Sequence, residues 1–276
     1  MSGLAQYIRA TILGCGSSGG VPRVGNEWGD CDPNEPYNRR RRCSLLLTGW
    51  RDDGPGKTHV LIDTGCDLRE QLLDVDVKDL DAVFYTHEHA DHTHGIDDLR
   101  VIALNNRKRI NVYFGERAGR RIKNSFAYCF ESPDNSGYPP ILSAHEISSG
   151  KPVLVEGEGG SITLLPVLQN HGNITTLGFK IESFLYSCDV SGFPDESLKD
   201  LKNLNIWVVD ALRKAPHPSH LNLVQSLEWI ERMQPKQAIL TNLHIDLDYR
   251  EILSQTPDNV SLAYDGMVID VLSGKN

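Results

Sequence analysis

Residues 83–95 read Val83-Phe84-Tyr85-Thr86-His87-Glu88-His89-Ala90-Asp91-His92-Thr93-His94-Gly95. An apolar run ends in closely spaced imidazoles and a carboxylate, and the spacing restricts what they can do. On a helix, side chains two positions apart point about 200° away from each other, so His87 and His89 could not share a ligand. In extended chain they face the same side. The segment therefore reads as a strand that delivers His87 and His89 to one cation. A turn at Asp91 and His92 aims two further donors elsewhere, so two neighbouring cations can be served. Neutral imidazole and carboxylate suit Zn, and also Mn or Fe. Four of the ten histidines lie between positions 87 and 94. A merely solvated loop does not explain that density directly after an apolar strand.

The surrounding 276 residues are those of a folded protein, 39% hydrophobic and 24% charged, which excludes disorder, collagen-like repeats and a disulfide-stapled miniprotein. Short Val-, Ile- and Leu-rich runs predict strands at 7–13, 44–48, 58–62, 82–85, 110–114, 161–166, 176–181, 183–187, 205–209, 237–240, 260–263 and 267–272. Helical patterns fall at 67–73, 96–106, 116–128, 196–202, 221–233 and 249–254. The clearest is 221–233, with Leu223, Leu227, Ile230 and Met233 on one side and Pro235 beyond its end. Segment 51–57 reads as a hairpin turn and 131–140 as a surface loop. Strands outnumber helices, which suggests two packed sheets with helices outside. With no repeat and no long linker, residues 1–276 are expected to form one domain.

With 28 Lys and Arg against 37 Asp and Glu, the net charge is −9. That argues against sequence-blind coating of nucleic acid, which needs broad positive potential. No apolar run approaches the ~18 residues of a membrane span, and the N-terminus lacks a signal-peptide pattern. The six cysteines are scattered without a CxxC pair, so reduced thiols and a cytoplasmic location are expected.

Thr86-His87-x-His89-x-Asp91-His92-x-x-Gly95 resembles the signature of the metallo-β-lactamase superfamily of hydrolases. Supporting segments follow in that family's order: Leu61-Ile62-Asp63-Thr64-Gly65, a later His, an Asp at a strand end and a C-terminal His. The resemblance implies an α/β fold, a four-layer αβ/βα sandwich of two mixed sheets with outer helices, holding two divalent metal ions at the sheet edge. It implies that His87, His89 and His171 bind the first ion. Asp91, His92 and a C-terminal His would bind the second, and Asp189 would bridge both. Asp63 is expected to orient a ligand rather than to bind metal. The C-terminal donor is expected at His244, because the strand of this family often ends in Leu-Thr-His while here Asn242 fills that slot. Residues two apart share a face if the strand extends that far.

Two divalent ions, two carboxylates and a bridging hydroxide leave a centre of about one net positive charge, poorly screened by burial. Such a centre favours an anionic reacting group, and a phosphodiester exploits it well. Within the superfamily, Gly14-Cys15-Gly16-Ser17-Ser18-Gly19-Gly20-Val21-Pro22, Arg41-Arg42-Cys43-Ser44 and Tyr264-Asp265-Gly266-Met267 resemble the phosphoribosyl cyclic phosphodiesterase branch, near the tRNA 3′-end-processing enzymes. The resemblance implies that the bridging hydroxide attacks phosphorus in a cyclic ribose or nucleotide phosphodiester. Asp91 and His220 are the catalytic residues it points to. His220 would protonate the departing oxygen, a role suited to an imidazole of ordinary pKa near ~6.5. Arg41 or Arg42, in the basic run 39–42, is the expected holder of a substrate phosphate. The expected partner is a small phosphorylated ribose or nucleotide, with RNA the less favoured alternative and no membrane, and the oligomeric state, a homodimer included, is left open. A tRNA 3′-end endonuclease, a lactam or thioester hydrolase, and a metal-holding module without turnover are the rival readings.

Overall fold

Three consecutive leucines show how the layers stack. In the strand Ser44–Trp50, Leu45 and Leu47 enter one buried cluster while Leu46 enters another, as period-two alternation requires of a strand covered on both faces. The same split recurs at Val60, Ile62 against Leu61, at Phe184, Tyr186 against Leu185, and at Val208 against Trp207, Val209. The computed structural model describes residues 3–132, 137–272 and 274, so the loop expected at 131–140 lies partly outside the described residues.

Two seven-stranded sheets face each other. The first comprises β1 (Tyr7–Gly14), β2 (Ser44–Trp50), β3 (Lys57–Ile62), β4 (Ala82–Phe84), β5 (Ile110–Phe114) and β6 (Leu142–Glu146), flanked beyond β1 by the last strand, β14 (Met267–Leu272). The second comprises β7 (Val153–Val155), β8 (Ile162–His171), β9 (Ile174–Ile181), β10 (Phe184–Ser187), β11 (Ile206–Asp210), β12 (Gln237–Thr241) and β13 (Val260–Leu262) in consecutive order. Each is mixed: β3 to β6 and β10 to β13 run parallel, the other pairs antiparallel.

The inner layer joins Ile12, Leu45, Ile62 and Phe84 to Phe179, Phe184, Tyr186 and Ile239 across the sheets. Phe84 meets Phe179 edge-on, with ring centroids 5.3 Å apart. Each such side chain contributes about 1.5–3 kcal/mol on burial. Outside the first sheet lie α1 (Leu68–Asp74), the single turn α2 (Ala90–Thr93), α3 (Leu99–Asn105), α4 (Glu116–Ser125) and α5 (Ala127–Phe130). Outside the second lie α6 (Leu223–Met233) and α7 (Tyr249–Leu253). The outer clusters contain Leu72, Ile102 and Ile122 on one side and Ile230 and Ile252 on the other. The four-layer αβ/βα sandwich is thus present, and among the described residues no helix is long and apolar enough to cross a membrane.

The best-predicted helix starts two residues late for a reason that matters to the site. Leu221 donates its N–H to the Val190 carbonyl at 2.7 Å, which holds the chain extended there. Asn222 then caps α6, accepting from Gln225 N while Gln225 Oε1 accepts from Asn222 N, a reciprocal cap that contributes about 1 kcal/mol. Three expectations need correction. Helix 196–202 is only a short 3₁₀ turn, Asp195–Ser197. Helix 116–128 breaks at Phe126, whose φ of −126° leaves the helical region. Strand 161–166 runs on to His171, because pairing with β9 continues through Gln169–Thr176 to His171–Ile174.

Candidate metal centre

Parallel strands end side by side, and most of the donors sit at those ends. β10, β11 and β12 are in register, so Asp189 just past β10, Asp210 closing β11 and Asn242 just past β12 form a row. On the facing sheet β3 and β4 are parallel neighbours, Ile62 opposite Phe84, which sets Asp63 beside Thr86 and His87. His171 closes β8 at a hairpin tip. Leu177 N donates to Thr86 O at 3.0 Å and ties the two sheets together there. Asp63, Asp189 and Asn242 have φ of 63°, 53° and 62°, left-handed turns that Asp and Asn tolerate better than most side chains.

The hydrogen bonds assign the imidazole tautomers. Asp63, fully buried, accepts from Thr86 N and Thr86 Oγ1, both at 2.8 Å, and from His92 Nδ1 at 2.7 Å. Because the Thr86 hydroxyl donates to Asp63, its oxygen accepts from His87 Nδ1 at 2.9 Å. His171 Nδ1 donates to the Ser219 carbonyl at 2.6 Å. The Nε2 atoms of His87, His92 and His171 therefore all face inward, unprotonated in the neutral rings of His87 and His171, with each ring oriented by an outer partner as metal-binding imidazoles are. Those three nitrogens surround Asp189: His92 Nε2 is 3.3 Å from Oδ1, while His87 Nε2 and His171 Nε2 are 3.5 and 3.8 Å from Oδ2. His89 Nδ1 faces His87 Nε2 at 2.9 Å.

Ligand atoms of His87, His89, His171 and Asp189 lie within 4.8 Å of one another, as do those of His92, Cys188 and Asp189. Cys188 is an outer partner: burial holds its thiol pKa well above the usual value, and its Sγ–H donates to Asp189 Oδ1 at 3.0 Å. Asp91 Oδ2 stands 3.4 Å from His92 Nε2.

Both groups of donors could hold a divalent cation. Burial, with the neighbouring His92, pushes the His87 pKa well below the ordinary imidazole value, which keeps it in the neutral form that binds metal. At His92, burial is overcome by Asp189, Asp91 and Asp63, which drive its pKa well up. Three carboxylates around one imidazole call for a positive charge, and a divalent cation supplies it. Chelation is accordingly expected to lower the melting temperature and saturating Zn²⁺ or Mn²⁺ to raise it, each occupied site stabilising the fold by about 2.7 kcal/mol at 100 times Kd. A thermal melt insensitive to metal would contradict this assignment.

His220 joins the cluster from the loop before α6. Its Nδ1 is 2.7 Å from Asp210 Oδ2 and its Nε2 3.9 Å from Asp189 Oδ2. Burial opposes its charge, yet Asp210 and Asp189 raise its pKa above the ordinary value. Asn242 spans this pair, Nδ2 donating to Asp189 Oδ1 at 3.1 Å and to Asp210 Oδ1 at 3.2 Å. Asp210 was not anticipated, although it closes an apolar strand just as Asp189 follows one.

Three expected participants are placed elsewhere. The His244 ring contacts Arg23 and Asp246 and is in neither donor group; β12 ends at Thr241 and Asn242 turns left-handed, so the same-face rule does not carry on to position 244. Arg41 pairs with Asp265 and Asp74, and Arg42 forks onto Asp67.

A profile of the beta-lactamase superfamily domain matches residues 58–245. The chain belongs to this superfamily. It is 32% identical to a new diphosphatase from the PhnP family, over 95% of this chain and 97% of that one, with a TM-score of 0.82. Zn²⁺-bound PqqB from Methylobacterium extorquens shares the fold at 14% identity, with a TM-score of 0.69 over 95% of this chain and 99% of that one. An octanoyltransferase of Porphyromonas gingivalis (strain ATCC BAA-308 / W83) is 31% identical over 263 residues, 94% of this chain. The chain spans about half, 51%, of the length of that curated relative. Fold, donor set and relatives together define a metal-dependent hydrolase in the branch that contains the PhnP-family diphosphatase.

Proposed function

We propose that this hydrolase opens a cyclic phosphodiester on a ribose or nucleotide, with two divalent cations, Zn or Mn or Fe, held between the sheet ends. The observation that carries the reading is the Asp210–His220 pair beside Asp189. An imidazole fixed at Nδ1 by a buried carboxylate, with Nε2 facing the centre, suits proton delivery to a departing sugar oxygen. His87, His89, His171 and Asp189 would hold the first cation, and Asp91, His92 and Asp189 the second. Cations held there would supply an activated water and offset the charge that develops on the phosphoryl oxygens. Asp63 and Thr86 keep His87 and His92 in the required tautomers, and Asn242 holds Asp189 and Asp210 at fixed separation. One domain over residues 1–276 fits the shared inner layer, and a cytoplasmic location fits six unpaired thiols.

Metal-loaded protein is expected to hydrolyse a cyclic ribose phosphodiester and to leave precursor tRNA uncut, with products resolved by chromatography. Cleavage of the RNA alone would move the activity to 3′-end processing. Metal binding without hydrolysis of any phosphodiester, chromogenic ones included, would make the chain a binding module.

A further inference from the structure

The basic run 39–42 is largely committed to structure. Arg40 is buried and donates to the His244 and Leu247 carbonyls and to Asn38 Oδ1, while Arg41 and Arg42 are paired with carboxylates. Arg23 is different. Among the described residues no carboxylate pairs with its guanidinium; its side-chain partner is the His244 ring at Nε2.

That contact is built rather than incidental. His244 Nδ1 lies 2.9 Å from Asp246 Oδ1. A carboxylate only accepts, so Nδ1 carries the proton and Nε2 is left bare to accept from Arg23. Asp246 is itself fixed by Lys214 N at 3.0 Å, and His244 N donates to Leu212 O at 3.0 Å. On the other side, Arg23 N and Glu27 N exchange bonds with each other's carbonyls at 2.9 and 3.3 Å. The arginine stem lies so close to Gly19 that a Cβ there would come within 3.1 Å of Arg23 Cγ.

The group also stands beside the centre. His244 is two residues from Asn242, whose amide touches Asp189. The glycine-rich loop before Arg23 is laced to the same segment, Leu243 N donating to Cys15 O at 2.8 Å and Ser17 N to Leu243 O at 3.2 Å. The His217 ring lies 5.0 Å from that of His220.

We infer that Arg23 binds a second anionic group, a phosphate on the non-reacting end of the substrate, and that His244, backed by Asp246, is its positioning residue. This rests on the phosphodiesterase reading. A neutral partner leaves the guanidinium's full charge for a ligand, and most of its five N–H donors remain to fork onto phosphate oxygens.

The test compares a cyclic ribose phosphodiester bearing a further phosphate with bis(4-nitrophenyl) phosphate, which has none. In Arg23→Gln, KM for the first should rise about 10- to 100-fold, the range of one charge-assisted contact, and for the second by much less. Arg23→Lys should recover part of the loss. His244→Ala should raise KM in the same selective way with metal content unchanged by elemental analysis, while His244→Gln, whose amide oxygen can replace Nε2, should stay near wild type. An unchanged KM in Arg23→Gln, or loss of an ion from either His244 variant, would overturn the inference. If no phosphodiester is cleaved by wild type, the functional reading fails separately. Calorimetric binding of ribose 5-phosphate to metal-loaded wild type and Arg23→Gln then decides the role of Arg23: weaker binding in the variant supports it, and equal binding refutes it.

Discussion

Replacing Asp189 by Asn is expected to strip at least one of the two ions proposed and to cut turnover by more than ~100-fold, the upper range for losing an outer partner alone. The carboxylate is the hub of the cluster. Four imidazole Nε2 atoms surround it: His92 at 3.3 Å, His87 at 3.5 Å, His171 at 3.8 Å and His220 at 3.9 Å. Its oxygens are divided between the two donor groups, Oδ1 toward His92 and Oδ2 toward His87 and His171. An amide has the same shape, but it removes the negative charge and turns a donor toward one group or the other. Elemental analysis of gel-filtered protein, run beside kcat/KM on a phosphodiester, reads both effects. Full metal retention in the variant would show that Asp189 is not shared between cations.

His220→Ala should behave in the opposite manner, keeping its metal and losing turnover by about 10²- to 10⁴-fold, the usual contribution of a general acid. The deficit should be largest for poorly departing alkoxides and smallest for nitrophenolate, which needs no proton. The basis is geometric: Nδ1 is engaged by Asp210 at 2.7 Å, and the Leu221–Val190 backbone bond anchors the loop that carries the ring. Metal analysis separates the roles, because loss of an ion from this variant would make His220 a ligand.

Much of the fold was legible because the core strands are covered on both faces. Leu45 to Leu47 and Leu61 to Ile62 advertise burial through continuous apolar side chains. β6 and β7 were not anticipated: at the sheet edges, positions 143–146 are half to fully exposed and only Val155 of β7 is buried, so neither alternation nor an apolar run marks them. The clustering of His87 to His92 was legible for a local reason, since one strand and one turn set these positions. Misread positions depend on distant chain. The carboxylates that engage Arg41 and Arg42 lie 25 to 224 residues away, and no local pattern reports them. His244 was projected by extended-chain periodicity across Asn242, whose positive φ ends that periodicity.

The left-handed turns at Asp63, Asp189 and Asn242 set durability against usefulness. An L-residue in that conformation gives up roughly 1 kcal/mol relative to the right-handed basin, less for Asp and Asn, and glycine would relieve it. A lineage selected for toughness alone would therefore drift toward glycine at these three corners and dismantle its chemistry while gaining stability.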